Sequence, residues 1–214
     1  FRQMVDDELK LDWAKKEIDI ESLMFVDDEE ADAPSVTSGG ITEPVDDVAF
    51  EDWKRTNVVA QRQDGFSMVY VRVERGDVYA NQWSQLADVA RKFAAGRARL
   101  DQQQNLVYRW VRTEFLYDVY TALGLIGFSV AGRETIRDVV TCPGTDSCKL
   151  GITSSMGLNK ALGEALDEMG EVDPLVENMH IKASGCPNSC GQHHIASIGF
   201  HGAVMKGPGG QVPA

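Results

Sequence analysis

The sequence predicts an α+β fold, with a ferredoxin-like half layer followed by an α/β segment that carries the chemistry. Three observations predict it. Residues 65–135 pass twice from strand-like to helix-like patterning. All four cysteines lie beyond residue 141, in two pairs. Residues 1–60 show neither period. The expected organisation is an acidic, poorly patterned connector over 1–60, a half layer over 61–135 and a cysteine-bearing domain over 136–214.

In the connector, the stretch 27–47 (DDEEADAPSVTSGGITEPVDD) combines acidic residues with Gly, Pro and Ser. That composition reads as an exposed loop or linker. In the half layer, Phe66–Glu74 reads as a strand that Arg75-Gly76-Asp77 ends. Asn81 can cap a helix running through Ala94, with Trp83, Leu86, Ala87, Ala90, Phe93 and Ala94 at helical spacing. Gly96 is placed to end it. Asn105–Val111 reads as a second strand. Thr113 can cap a second helix with Phe115, Leu116, Val119, Tyr120 and Leu123 on one face, closed by Gly124. Strand, helix, strand, helix is a βαβ-containing half of a ferredoxin-like layer. Its apolar stripes read as core.

In the last segment, Ile136–Thr141 reads as a short strand into the first cysteine pair. Leu158–Met169 reads as an amphipathic helix with Leu158, Ala161, Leu162, Ala165, Leu166 and Met169 on one face. His180–Ser184 reads as a strand into the second pair and Ile195–Phe200 as a strand leaving it.

Composition excludes several function classes. The net charge is −12, which argues against nucleic acid and against an anionic membrane surface as partners. No run of about 18 apolar residues occurs, so no transmembrane helix is expected. The first residue is Phe1 and the opening lacks the apolar run of a secretory signal. Both ends read as those of a piece of a longer protein, and the expected compartment is the cytoplasm. Any anionic substrate must be met by local Arg or Lys.

The cysteines carry the sharpest signal. The first pair is Cys142 and Cys148, spaced C-x5-C; the second is Cys186 and Cys190, spaced C-x3-C. Four thiolates can hold a [4Fe–4S] cubane. Pro143-Gly144 and Pro187 bend the loops so that backbone N–H groups can face the sulfurs. Spacing alone leaves zinc open, although a C-x5-C arm is unusual there. It also leaves two disulfides or unrelated buried thiols open.

The flanking residues resemble the siroheme-dependent nitrite and sulfite reductase family. They are Gly185-Cys186-Pro187-Asn188-Ser189-Cys190-Gly191-Gln192, continuing through Ile195–Phe200, and Thr141-Cys142-Pro143-Gly144 with Cys148 beyond. The segment Arg99-Leu100-Asp101-Gln102-Gln103-Gln104-Asn105 is similar to that family's Arg-x-Thr-x-x-Gln-Asn, with Asp101 where Thr is usual. The resemblance covers roughly residues 60–206.

The resemblance implies a piece from the second half of an enzyme that reduces nitrite to ammonia, or sulfite to sulfide, by six electrons. Residues 136–214 become the truncated start of an α/β siroheme- and [4Fe–4S]-binding domain. Cys142, Cys148, Cys186 and Cys190 become cluster ligands, with Cys190 also the axial siroheme ligand. Asn188 is expected near the macrocycle; Arg99, Gln104 and Asn105 are expected to hold its carboxylates. Ferredoxin or a reductase flavoprotein is the implied electron donor. The catalytic residues that grip the anion are expected in the missing half, and the isolated piece is expected to be inactive. The cross-class alternative is a non-catalytic four-cysteine zinc site or an iron–sulfur electron-transfer module. His180, His193, His194 and His201 read as neighbours of the site, and Lys149 and Lys182 as solvated surface. The Gln104-Asn105 end of the half layer is expected to point towards the cysteine loops.

Overall fold

A computed structural model describes residues 2–12, 19 and 47–214. The chain divides into two compact units, Phe1–Pro34 and Ser35–Ala214. In the first unit the described helix is α1 (Arg2–Glu8), none of whose residues is buried. The expected acidic linker at 27–47 lies outside the described residues, Asp47 excepted.

The second unit opens with helix α2 (Val48–Asn57) and strand β1 (Val58–Ala60). Both fall in the stretch where the sequence shows no period. Asp47 caps the helix by accepting from the Phe50 N–H at 3.0 Å. Phe50 and Trp53 then enter the core, where Trp53 is fully buried. Residues 48–60 are therefore structured, contrary to the expectation of an unpatterned connector.

Strands β2 (Phe66–Val71), β3 (Arg99–Leu100) and β4 (Leu106–Arg112) join β1 in a sheet of order β1-β2-β4-β3, antiparallel at every step. Helix α3 (Ala80–Phe93) links β2 to β3, which run parallel. Strand β4 returns from β3 and inserts between them. The βαβ unit is thus split, and the strand closing its crossover is the two-residue β3, not the longer run expected to do so. Helix α4 (Leu116–Gly124) completes the layer. The core gathers Val69 and Val71 from β2, Leu86 and Phe93 from α3, Tyr108 from β4 and Val119 and Leu123 from α4.

Several boundaries differ from expectation for local reasons. Helix α3 starts at Ala80, because the Gln82 side chain turns back to accept from the Tyr79 N–H at 2.9 Å, and Asn81 does not cap it. Trp83 is 46% exposed and lies outside the core stripe. Thr113 opens a short 3-10 turn, and its hydroxyl pairs with Ser67 Oγ at 3.1 Å instead of capping α4.

The second sheet is parallel, with β5 (Val140–Thr141), β6 (Ile181–Ser184) and β7 (Ile198–His201) in sequential order. Strand β5 is shorter than the expected 136–141. Strand β7 begins at Ile198 because His193–Ile195 form a 3-10 turn. Helix α5 (Ser155–Met169) and the short α6 (Pro174–Glu177) cross from β5 to β6. The buried face of α5 is Ser155, Asn159 and Leu166, with Leu162 packed beside them. Ala161, Ala165 and Met169, expected on that face, are exposed. A hairpin of β8 (Val204–Gly207) and β9 (Gly210–Pro213) follows. Among the described residues, no helix is long and apolar enough to cross a membrane.

Candidate cysteine site at the ends of two parallel strands

Cys142 follows β5 directly, and Cys186 lies two residues beyond β6. The strands are neighbours, with Thr141 paired to Ala183. Both cysteine arms therefore leave the same, carboxyl edge of one parallel sheet. That edge is where open α/β sheets bind their ligands, since loops from adjacent strands diverge there and leave a crevice.

The arms are packed backbone to backbone. The Ile152 and Thr153 N–H groups donate to Gly185 O at 2.7 and 3.0 Å, and the Cys142 N–H donates to Ala183 O at 3.2 Å. Glycine is required at the contact. A Cβ on Gly185 would stand 2.6 Å from Gly144 Cα, and one on Gly191 would stand 2.0 Å from Ala183 O. No real side chain survives such approaches, so these glycines hold the second arm against the first arm and against its own strand.

All four cysteines are unpaired thiols; Cys142 and Cys186 are buried, Cys148 and Cys190 exposed. The Gly185 N–H donates to Cys142 Sγ at 3.1 Å. Ser155 Oγ lies 3.6 Å from the same sulfur and donates to Cys142 O at 2.6 Å. Burial raises the Cys142 pKa, but hydrogen bonds from Gly185, Ser155 and Gly144 outweigh it, and the net shift is downward. A sulfur so surrounded is prepared to be a thiolate, the form that ligates metal. Among the described residues, no three His, Cys, Asp or Glu side chains are already gathered closely enough to hold a metal ion.

The half layer reaches the cysteine arms through 101–105, as expected, but its amides are used differently. Asp101 Oδ1 accepts from the Gln103 and Asn105 N–H groups, both at 2.9 Å, and closes the turn. This gives the carboxylate at the position that departs from the family pattern a definite task. Gln104 stands at φ 69°; its Nε2 donates to Thr141 O at 2.9 Å and its Oε1 accepts from the Thr141 N–H at 3.4 Å. Asn105 is fully buried. It accepts from the Val73 N–H at 2.9 Å and donates to Asp138 at 3.1 Å. In this arrangement both amides are engaged with protein and brace the turn against the first cysteine arm and against Val73 and Asp138. Arg99 is exposed on β3, and Asn188 is exposed in the second arm.

Lys182, expected at the surface, is 4% exposed. Its Nζ donates to Gln103 Oε1 at 2.8 Å and Gln192 Oε1 at 3.0 Å. Its burial follows from its place between Ile181 and Ala183 on the middle strand of the parallel sheet, since such strands are covered on both faces. Lys149 is exposed, as expected. His193 is buried, with Nδ1 2.9 Å from Ser184 Oγ, its Nε2 unpartnered, and its ring stacked on His201. His180 pairs with Glu134 at 2.9 Å.

The family description "Nitrite/Sulfite reductase ferredoxin-like half domain" matches residues 59–125. A chloroplastic ferredoxin–nitrite reductase from Oryza sativa subsp. japonica is 29% identical over 170 residues, 78% of this chain and 28% of that protein. An assimilatory ferredoxin-dependent nitrite reductase from Haloferax mediterranei is 30% identical over 156 residues, 73% of this chain and 27% of that protein. This chain spans about a third of the length of such relatives. The Mycobacterium tuberculosis NirA structure superposes at a TM-score of 0.59 with 24% identity, covering 83% of this chain and 31% of that one. Dissimilatory sulfite reductase I superposes at 0.54 with 16% identity, covering 66% and 33%. At these identities the two structures speak for the fold.

Proposed function

Because this chain belongs to the nitrite and sulfite reductase family, we propose that it is the second-half segment of an enzyme that reduces nitrite to ammonia with electrons from ferredoxin. The names of the relatives support nitrite and ferredoxin over sulfite and a flavoprotein donor. We take residues 61–135, extended back to the core helix α2, as the ferredoxin-like half domain, and 136–214 as the beginning of the cofactor domain. The cytoplasm, or the plastid in plant relatives whose names say chloroplastic, suits four unpaired thiols.

One observation carries the reading: two cysteine arms leave the carboxyl edge of adjacent parallel strands and are locked together by glycine contacts. In the proposal Cys142, Cys148, Cys186 and Cys190 ligate a [4Fe–4S] cluster, and Cys190 also reaches the siroheme iron. The surroundings of Cys142 fit that group, since a buried sulfur receiving an N–H bond stabilises thiolate charge. When bound, the cluster and siroheme supply the electrons and the iron at which the anion is reduced. This chain's residues hold and orient. Gln104 fixes the backbone before Cys142, Asn188 flanks the macrocycle from the second arm, and Arg99 offers a cation to its carboxylates.

The test is anaerobic reconstitution of the full-length enzyme with siroheme, iron and sulfide, followed by turnover on each anion. The expected result is a Soret-type band and nitrite reduction with reduced ferredoxin. Zinc uptake without visible absorption would establish the non-catalytic four-cysteine zinc alternative instead.

A further inference from the structure

Strand β6 separates two environments. Ile181 lies in the apolar core beneath α5, so the alternate residues Lys182 and Ser184 face the other side of the sheet. There they meet the residues that follow Cys190. Ser184 Oγ accepts from the Gly191 N–H at 3.0 Å and pairs with His193. Lys182 bonds Gln192, two residues after Cys190, and also Gln103 of the half layer. Both are neutral carbonyl oxygens. Among the described residues, no carboxylate is within ion-pair distance of Lys182 Nζ.

Burying an ammonium without a counter-charge is costly, and an apolar side chain of the same volume would avoid the cost. Burial pushes the Lys182 pKa down, and the more distant Glu134, Asp138 and Asp101 offset that only in part, so the net shift is downward. Such a group makes physical sense near a concentration of negative charge, which a cluster held by the cysteine arms at the ends of β5 and β6 would supply.

We propose that Lys182 is a positioning residue that clamps the Cys186–Cys190 arm to the ferredoxin-like layer through Gln192 and Gln103, and that its charge stabilises the reduced, more negative state of the bound cluster. Gln104 does the equivalent for the first arm through Thr141, so neighbouring glutamines of one turn set both arms. The inference rests on the assignment of the four cysteines as cluster ligands.

The test uses the full-length enzyme reconstituted anaerobically, as wild type, Lys182→Met and Lys182→Arg. Two readouts are taken: the midpoint potential of the cluster by redox titration, and amide hydrogen exchange over 185–193 in the cluster-free protein. Lys182→Met is expected to lower the potential and to speed exchange in 185–193 about tenfold, the scale of losing hydrogen bonds to a charged group. Lys182→Arg is expected to keep the potential nearer to wild type. An unchanged potential or unchanged exchange in Lys182→Met overturns the proposal. If Lys182→Met does not fold, Gln103→Leu replaces it in the exchange measurement, with the same speeding expected and unchanged exchange again overturning the clamp. A wild type that takes up no cluster refutes the cysteine assignment itself, which separates the two failures.

Discussion

At the residue scale, one substitution should have opposite signs at two glycines. Gly191 sits where a Cβ would stand 2.0 Å from Ala183 O, a backbone atom that cannot move away without breaking β6. Gly163 lies inside α5, and nothing is within 4 Å of its would-be Cβ. Gly163→Ala is therefore expected to stabilise the chain by about 0.5–1 kcal/mol, through lower backbone entropy in the unfolded state and better helix propensity. Gly191→Ala is expected to destabilise it by about 3 kcal/mol or more, as backbone strain or overpacking does. Urea unfolding of the two variants beside wild type measures both. A neutral Gly191→Ala would mean that the second arm is not held where it is described. The meeting of the two cysteine arms at one sheet edge was legible in the sequence, because paired cysteines with Pro and Gly companions each follow a strand-like run. Lys182 was not. Its burial follows from strand order in a parallel sheet, and a single Lys in a short apolar run gives no sign of which strands flank it.

At the element scale, helix α2 shows why local pattern failed in the first sixty residues. Phe50 and Trp53 are its two large apolar residues, three apart, within an otherwise charged sequence. Two anchors do not make a period, yet they stack at 6.0 Å and meet Tyr120 of α4 at 5.4 and 5.3 Å. If the helix belongs to the core, Trp53→Ala costs about 3–5 kcal/mol of unfolding free energy, whereas Val48→Ala, at a position 83% exposed, costs less than about 0.5 kcal/mol. Calorimetry on both variants decides it, and a small effect at Trp53 would detach α2 from the layer. Helix α5 errs in the other direction. Its end at Met169 and the packing of Leu162 and Leu166 were legible, but its first turn, from Ser155, and the polar part of its buried face were not. Asn159 donates to Val139 O at 2.8 Å and Ser155 to Cys142 O, so two polar residues are buried where backbone carbonyls need donors. A hydrophobicity count instead assigns the face to Ala161, Ala165 and Met169, which remain in solvent.

At the scale of the molecule, charge sets the limit on what this chain can do alone. Its net charge of −12 repels nitrite, sulfite and the carboxylates of siroheme alike, and an acidic ferredoxin as well. Lys182 is buried among amides, and two arginines near the cysteine segment already pair with carboxylates of the fold. Arg72 Nε is 3.8 Å from Asp138, and Arg137 is 2.6 Å from Asp167. On the proposed function, the cations that seat an anion, and those beyond Arg99 that neutralise a polycarboxylate macrocycle, are expected from the rest of the enzyme, since buried charge is tolerated only when paired. A four-thiolate cluster needs less. The arms already converge on one sheet edge, and the Gly185 N–H is aimed at Cys142. The 214-residue chain, reconstituted anaerobically, is therefore expected to take up iron and sulfide, giving broad brown absorption that air bleaches. It is expected to retain no siroheme through gel filtration and to reduce neither anion. Turnover at about 1 per second or faster, in the range of ordinary enzymes, would place the anion site within these residues and overturn the charge argument.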